Sequence, residues 1–308
     1  MDSEVFAIPL RTRFRRIDVR EGVLVRGPAG WGEFSPFLDY GPPVTGRWWA
    51  AACEAAVDGW PEPLRDTIPV NVTVPAVGPD RAVQIVRDSG GCRTAKVKVA
   101  EPGQSLAEDL ERVAAVRDAI GRDGQIRVDA NGAWDVAAAI AAIRALDRYD
   151  LEYVEQPCHT LNEMAAVRRR VDVPLAADES IRTAGDPLRV AGLDAADIVV
   201  LKVQPLGGVR MALRVAEACG LPVVVSSALE TSIGIAAGVA LAAALPELSY
   251  ACGLATVQLL TGDPCSQPLT PVDGVLPVRR PEPDLIAGVR ADAETADRWA
   301  ERLRAAAL

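Results

Sequence analysis

The sequence predicts an α/β protein: a modified TIM barrel of the (β/α)7β type, with an α+β capping domain built from both termini. Three observations predict this class. Short β-branched runs alternate with stretches of helical periodicity through the middle of the 308-residue chain. Polar residues close several of these runs at intervals of 23 to 26 residues, which is the length of one βα unit. The two flanks lack this alternation, and neither is large enough to form its own core.

The barrel is predicted over residues 67–260. Its eight strands are expected to begin near Pro69, Thr94, Gln125, Leu151, Pro174, Asp197, Pro222 and Tyr250. The intervening helices include 105–120, 136–146 and 209–219. Eight strands over about 190 residues favour a closed parallel barrel, somewhat smaller than the usual size of about 250 residues. A doubly wound open sheet is the alternative, but no Gly-rich dinucleotide loop follows the first strand.

The capping domain is predicted to combine residues 1–66 with residues 261–308. Alternating patterns predict strands over 5–10, 13–19 and 22–26, followed by a short helix over 46–58. The C-terminal part is rich in Pro and Gly and carries a short strand and a final helix over 293–307. We expect both parts to pack beside the barrel mouth. A loop around Leu10 to Arg13 would then contribute to substrate choice.

Composition excludes several classes of protein. A net charge of −9 argues against nucleic-acid binding, which usually requires a basic surface. The longest uncharged apolar run, 234–245, is shorter than the roughly 20 residues that span a bilayer and reads as a buried helix. Six cysteines without a CxxC pair, and no signal peptide, predict a cytoplasmic location. One histidine, His159, cannot build a His-rich zinc site.

Lysine is almost absent, and its few positions are informative. Of 33 basic residues only Lys96, Lys98 and Lys202 are lysines. All three lie in apolar, strand-like runs, where buried parallel strands should carry few charges. Lysine can lose its proton in a suitable environment, whereas arginine stays charged. The three lysines are therefore candidate functional groups, although a codon-biased genome with three leftover surface lysines is the alternative.

Three acidic residues fall at the ends of neighbouring predicted strands: Asp129, Glu155 and Asp178. Because catalytic groups of such barrels lie at the C-terminal strand ends, these carboxylates are expected to converge. Unpaired, they would repel one another, and a hard divalent cation such as Mg²⁺ would resolve the repulsion. Oxygen ligands do not distinguish Mg²⁺ from Mn²⁺. The alternative is that the acids form scaffold salt bridges with Arg127 and Arg182.

These residues together resemble the enolase superfamily. The Lys96-x-Lys98 pair, the three carboxylates and Lys202 are similar to its muconate-lactonizing-type subgroup, whose members have lysines on both sides of the metal. The capping string 31–36 belongs to the same resemblance. Motifs at 127–134, 153–157 and 226–234 resemble those of syn-dehydratases of the subgroup that act in menaquinone biosynthesis. Near the eighth strand the pattern departs, because Gly253-Leu254 is followed by Ala255 rather than by an acidic residue.

The resemblance implies a mechanism. The expected reaction is syn dehydration of the small carboxylate 2-succinyl-6-hydroxy-2,4-cyclohexadiene-1-carboxylate, with the three acids holding Mg²⁺. Lys98 would remove the proton beside the carboxylate, helped by the neighbouring charge of Lys96, and Lys202 would stabilise the anionic intermediate. The residues expected to orient the substrate are Arg127, Asn131, Ser226 and Ser227.

Three other functions stay open at this stage. The same site could racemise an N-succinylamino acid or epimerise a dipeptide, since two lysines could exchange a proton across the substrate. A desolvated lysine could serve as the Schiff-base nucleophile of an aldolase. A binding protein without catalytic activity is the third alternative, and it leaves the lysines and acids without a role.

Overall fold

The structure is a computed structural model that describes residues 2–182 and 189–307. In these residues the strands are β1 (Asp2–Phe14), β2 (Ile17–Gly27), β3 (Gly30–Phe34), β4 (Thr67–Pro69), β5 (Val72–Val74), β6 (Thr94–Lys98), β7 (Gln125–Asp129), β8 (Leu151–Glu155), β9 (Leu175–Ala177), β10 (Ile198–Lys202), β11 (Val223–Ser226) and β12 (Val275–Pro277). The α-helices are α1 (Val44–Cys53), α2 (Pro79–Arg87), α3 (Leu106–Ile120), α4 (Val136–Leu146), α5 (Leu161–Arg168), α6 (Glu179–Arg182), α7 (Arg189–Gly192), α8 (Val203–Leu206), α9 (Val209–Cys219), α10 (Ser232–Ala244) and α11 (Ala293–Ala306).

Seven parallel strands, β5 to β11, form one curled sheet in chain order. Its two edges meet through a short segment, in which Cys252 bridges to Val70 beside β5 and Gly253 bridges to Ser226 on β11. The Gly253 amide donates to the Val225 carbonyl over 2.8 Å. The predicted barrel is therefore confirmed, and this bridging segment occupies the position expected for the eighth strand.

The helices begin where the sequence supplies capping side chains. The Ser105 hydroxyl accepts from the Glu108 amide, while the Glu108 carboxylate accepts from the Ser105 amide, and Thr160 and Glu163 repeat this capping box before α5. Asp135 caps α4. Helix α10 is buried along nearly its whole length, as its Ala-rich sequence predicts. No helix in the described parts of the chain is long and apolar enough to cross a membrane.

Both ends of the chain contribute to the capping structure. Strands β1, β2 and β3 form an antiparallel sheet. The Ala7 amide donates to the Val289 carbonyl over 2.9 Å, and Trp299 of α11 packs edge-on against Phe34 of β3 with ring centroids 6.0 Å apart. Strand β12 pairs antiparallel with β4 at the start of the barrel. The boundaries at residues 66 and 260 stay a prediction.

One predicted strand and one predicted loop are wrong. The chain does not turn at Leu10 to Arg13: β1 continues to Phe14, and the turn falls at Arg15 and Arg16, inside the strand expected over 13–19. Both turn residues have positive φ, at 50° and 63°. Such tight hairpin turns usually contain Asn or Gly, so two arginines gave no sequence signal for this turn.

Glu54 connects the capping structure to the barrel. It lies in a π-helical turn that continues α1, and its carboxylate accepts hydrogen bonds from the amides of Val209 and Arg210, the latter at 3.1 Å. These amides are at the beginning of α9, where the helix leaves them without a partner of its own. Glu54 therefore acts as a helix cap supplied by a distant part of the sequence.

We expect Glu54→Ala to lower the free energy of unfolding by about 1–2 kcal/mol, because two amides at the helix terminus lose their acceptor. Chemical denaturation monitored by circular dichroism measures this change. The stability of Glu54→Gln, which keeps one acceptor oxygen, should lie between those of the wild type and Glu54→Ala. The control Glu62→Ala, at an exposed glutamate, should be as stable as the wild type. Equal stabilities for Glu54→Ala and Glu62→Ala would contradict the capping role.

Candidate active site

The register of the sheet brings the predicted site residues into one row at the strand ends. Lys98 lies beside Asp129, and Asp129 lies beside Glu155 on the next strand. Asp178 follows β9 directly, and Lys202 ends β10 beside Ser226. All three carboxylates are about 1% exposed. The expectation that these acids and lysines meet at one end of the barrel agrees with this geometry.

Each carboxylate of the row contacts a lysine ammonium. Lys96 Nζ lies 3.0 Å and 3.1 Å from the two carboxylate oxygens of Glu155, and 3.4 Å from Oδ2 of Asp129. Lys98 contacts Asp129. Lys202 Nζ lies 2.5 Å from Asp178 Oδ2. The three lysines of the chain are therefore all counter-ions of the three predicted metal ligands.

Burial and these contacts shift the pKa values of the side chains in the row. Burial alone would lower the pKa of Lys96, but Glu155 and Asp129 outweigh it and raise that pKa. Burial would raise the pKa of Asp129, but Lys98 and Lys96 lower it well below its usual range. Burial, with the nearby Asp129 charge, raises the pKa of Glu155 to about 7. Lys96 is thus held as a charged ammonium within the row.

The donor set fits a hard divalent cation. Three carboxylates at adjacent strand ends offer oxygen ligands, and Lys96 Nζ contacts both Glu155 and Asp129, so these two carboxylates face one region. The charge of Asp178 contributes to the raised pKa of Glu155. In this structure the lysines lie against the carboxylates, and within residues 2–182 and 189–307 no three Asp, Glu, His or Cys side chains are grouped to hold a metal ion. The metal-ligand assignment stays a prediction.

Three of the four predicted substrate-orienting residues border the cleft above this row. Asn131 accepts from Lys98 Nζ over 2.7 Å and donates to Glu179 over 3.2 Å. Ser226 and Ser227 line the cleft, and the Ser227 hydroxyl lies 2.7 Å from the Thr256 hydroxyl. Asn131 therefore positions the amine of Lys98, while the two serines lie along the cleft wall.

Arg127 lies elsewhere, one layer deeper in the barrel. It is fully buried, donates to the Ala251 carbonyl over 2.7 Å and to Glu152 over 2.5 Å, and stacks on the Tyr153 ring at 4.7 Å. It pairs with none of the three acids of the row, contrary to the scaffold alternative. The side chain of Arg182, its other proposed partner, lies outside the described residues. Arg127 therefore fills and closes the barrel floor and does not reach the cleft.

The capping structure contributes cleft residues that the sequence did not indicate. Phe14 and Arg15, at the end of the first hairpin, and Phe37, after β3, line the cleft together with the three lysines. Lys98 Nζ lies 5.4 Å from the centre of the Phe14 ring. Phe14 and Arg15 could have been found only by locating the hairpin turn, which has no Gly or Asn.

Arg20 holds a cleft loop from the capping side. Its guanidinium is buried and donates to the carbonyls of Leu229 over 2.8 Å and Ala228 over 3.2 Å. Both of these residues line the cleft, and Leu229 has a positive φ of 65°. Arg20 therefore fixes a strained part of the cleft wall that follows β11.

Glu33 caps the helix that follows this loop. Its carboxylate accepts from the amides of Thr231 and Gly234, each over 3.1 Å, at the start of α10. Burial and the nearby Glu230 carboxylate raise the pKa of Glu33 to about 7, although Arg20 opposes this shift. The charge of one buried guanidinium, that of Arg20, thus stabilises the charged forms of two buried carboxylates, Glu33 and Glu230.

Comparison with protein families identifies the class. The model described as enolase C-terminal domain-like matches residues 80–284, and the one described as enolase N-terminal domain-like matches residues 5–56. The chain therefore belongs to the enolase superfamily, in its muconate-lactonizing-type subgroup. Enzymes of this superfamily generally use a divalent metal ion.

Relatives of known name include o-succinylbenzoate synthases from two bacteria. The chain is 67% identical over 308 residues to the o-succinylbenzoate synthase of Thermobifida fusca (strain YX), covering 99% of this chain and 96% of the relative. It is 52% identical over 302 residues to the o-succinylbenzoate synthase of Mycolicibacterium smegmatis, covering 97% and 93%. Similarity at this level extends over the capping structure and the barrel alike.

Solved structures support the fold. The L-Ala-D/L-Glu epimerase of Bacillus subtilis superposes with a TM-score of 0.79 at 24% identity, covering 92% of this chain and 96% of the epimerase. A muconate lactonizing enzyme of Pseudomonas fluorescens gives 0.79 at 23% identity, covering 97% of each chain. At these identities the likeness shows a shared fold.

We expect the stability of the protein to depend on pH through Glu33. The native state retains a proton on Glu33 that the unfolded chain releases near pH 4.5, so the contribution of Glu33 to stability is fully present below pH 4.5 and declines as pH rises from 4.5 through 7. The expected contribution is up to about 3 kcal/mol. Denaturant titrations from pH 5 to 7.5 should show a flatter profile for Glu33→Gln than for the wild type.

The exposed variant Glu62→Gln is the control and should keep the wild-type slope. A Glu33→Gln profile as steep as that of Glu62→Gln would show that Glu33 does not carry the pH dependence.

Proposed function

We propose that the chain is an o-succinylbenzoate synthase, a dehydratase that converts 2-succinyl-6-hydroxy-2,4-cyclohexadiene-1-carboxylate to 2-succinylbenzoate in menaquinone biosynthesis. Relatives with this name, similar along the whole chain, support the proposal. The geometric observation that carries it is the position of Lys98 and Lys202 on β6 and β10, the strands that flank the three carboxylate-bearing strands. A cytoplasmic location stays a prediction.

Asp129, Glu155 and Asp178 would hold the metal ion, which we propose to be Mg²⁺, with Mn²⁺ as an acceptable substitute. When bound, a divalent cation supplies a Lewis acid for the substrate's ring carboxylate and for the negative charge that develops beside it. Lys96 stays an ammonium between Glu155 and Asp129, so it neutralises part of the carboxylate charge without acting on the substrate.

Lys98 would act as the base. Its amine, positioned by Asn131, takes the proton from the ring carbon that carries the carboxylate, and the electron pair left behind forms an enediolate. The bond between the neighbouring carbon and its hydroxyl then breaks. Because the two groups leave from the same face, the Lys98 ammonium can return its proton to the departing hydroxide, which leaves as water. The ring becomes aromatic.

Lys202 would remain protonated. Its contact with Asp178 holds the ammonium at the far side of the row, where it stabilises the anionic ring by a cation–π interaction. The same placement supports a second candidate function, racemisation of an N-succinylamino acid or epimerisation of a dipeptide, because amines on two flanking strands could exchange a proton across a substrate.

The same substitution at the two lysines should have different effects. Lys98→Arg keeps a positive charge but removes the base, so we expect kcat for dehydration to fall by at least about 100-fold. Lys202→Arg keeps the charge that stabilises the intermediate, and kcat should stay within about tenfold of the wild type. Loss of substrate absorbance measures both, and circular dichroism checks folding. Equal losses in the two variants would contradict the assigned roles.

Removing the metal should stop the reaction. Excess EDTA is expected to abolish turnover, and added Mg²⁺ to restore it, because the three carboxylates cannot replace a Lewis acid. Polarimetry with N-succinylphenylglycine on the same sample tests the second candidate function. Turnover that resists EDTA and leaves a borohydride-trapped lysine adduct would instead support the Schiff-base alternative.

A further inference from the structure

We propose that Arg15 binds the terminal carboxylate of the substrate's succinyl chain and thereby contributes to substrate specificity. This inference rests on the proposed function, because it concerns the second anionic group of that substrate. The carboxylate on the ring is accounted for by the row at the strand ends. The carboxylate at the end of the side chain requires a separate partner.

The charges around the cleft point to one candidate. Among the described residues that line the cleft, the cations are the three lysines and Arg15. The lysines contact the buried carboxylates of the row. Arg15 forms no hydrogen bond or ion pair with any residue in the described parts of the chain, so its N–H groups are available to a ligand.

The hairpin holds Arg15 at the rim of the cleft. The residue occupies the first position of the tight turn between β1 and β2, and its guanidinium carbon lies 4.4 Å from the centre of the Phe37 ring. A guanidinium stacked on an aromatic face keeps its N–H edge directed along its own plane, and that edge matches a carboxylate in a bidentate manner. Phe14, the preceding residue, contacts the Lys98 side of the cleft.

A second cation next to Arg15 favours an anionic ligand. The buried guanidinium of Arg20 lies 4.7 Å from the same Phe37 ring, and the charge of Arg15 disfavours the charge of Arg20. Two guanidinium groups on one ring repel each other, although the carboxylates of Glu33 and Glu230 favour the charge of Arg20 more strongly than Arg15 disfavours it. A carboxylate bound by Arg15 would offset this repulsion, whereas a neutral side chain at the same place would not.

Two ligands that differ only at this carboxylate test the proposal. 2-Succinylbenzoate carries it, and 2-butyrylbenzoate has a methyl group there. Isothermal titration calorimetry in the presence of Mg²⁺ should show that the wild type binds 2-succinylbenzoate at least about tenfold more tightly. In Arg15→Ala this preference should disappear, and in Arg15→Lys it should be partly retained. Arg16→Ala removes the neighbouring charge of the same turn and should keep the wild-type preference.

Steady-state kinetics provide the second measurement. Arg15→Ala should raise KM for the cyclohexadiene substrate at least about tenfold while kcat changes less than threefold, because the contact lies away from the reacting carbons. A tenfold preference that survives in Arg15→Ala would overturn the proposal, as would a wild type that does not distinguish the two ligands. A wild type that neither turns over the substrate nor binds either ligand would overturn the proposed function itself.

Discussion

Three carboxylates buried in one row are the constraint on which the rest of the structure depends. An isolated ionised carboxylate is strongly disfavoured in a barrel interior, and Asp129, Glu155 and Asp178 lie at the ends of adjacent strands. Positive charge must therefore be built into the same layer. Lysine suits this role, because a compact ammonium on a flexible stem can reach two carboxylates at once, as Lys96 does. The planar fork of an arginine would fill the space that a metal ion and substrate require.

In the layer of side chains beneath this row, a buried charge again has a counter-ion of its own. Arg127 points into the barrel but is compensated by Glu152, which the sheet turns inward at an irregularity in the pairing of β7 with β8. Tyr153 and Tyr250 pack against its guanidinium. Because Arg127 has its own counter-ion, it does not compete with the lysines for the carboxylates above. Arg127, which the sequence suggested for substrate binding, therefore makes its contacts inside the barrel, with Glu152 and the Ala251 carbonyl.

Sequence patterns predicted the parts of the molecule that local rules determine. The barrel strands, the capped helices and the spacing of acids and lysines all depend on residues close to one another in sequence or on the constant length of a βα unit. The hairpin turn was misplaced because Arg15 and Arg16 stand where turn residues are expected. Arg127 was misassigned because its partners, Asn71 and Ala251, come from distant segments that meet only when the barrel closes.

The capping structure is attached to the barrel at the helices that follow two of the site-bearing strands. Glu54 and Glu33 cap α9 and α10, the helices that follow the strands ending in Lys202 and Ser226. A carboxylate at a helix N-terminus binds directional amides, so it fixes orientation as well as distance. A rotation of the whole capping structure against the barrel would break both caps and move the hairpin away from the cleft. The two caps therefore do two things at once. They stabilise the interface between the capping structure and the barrel, and they keep the hairpin residues in place over the lysines.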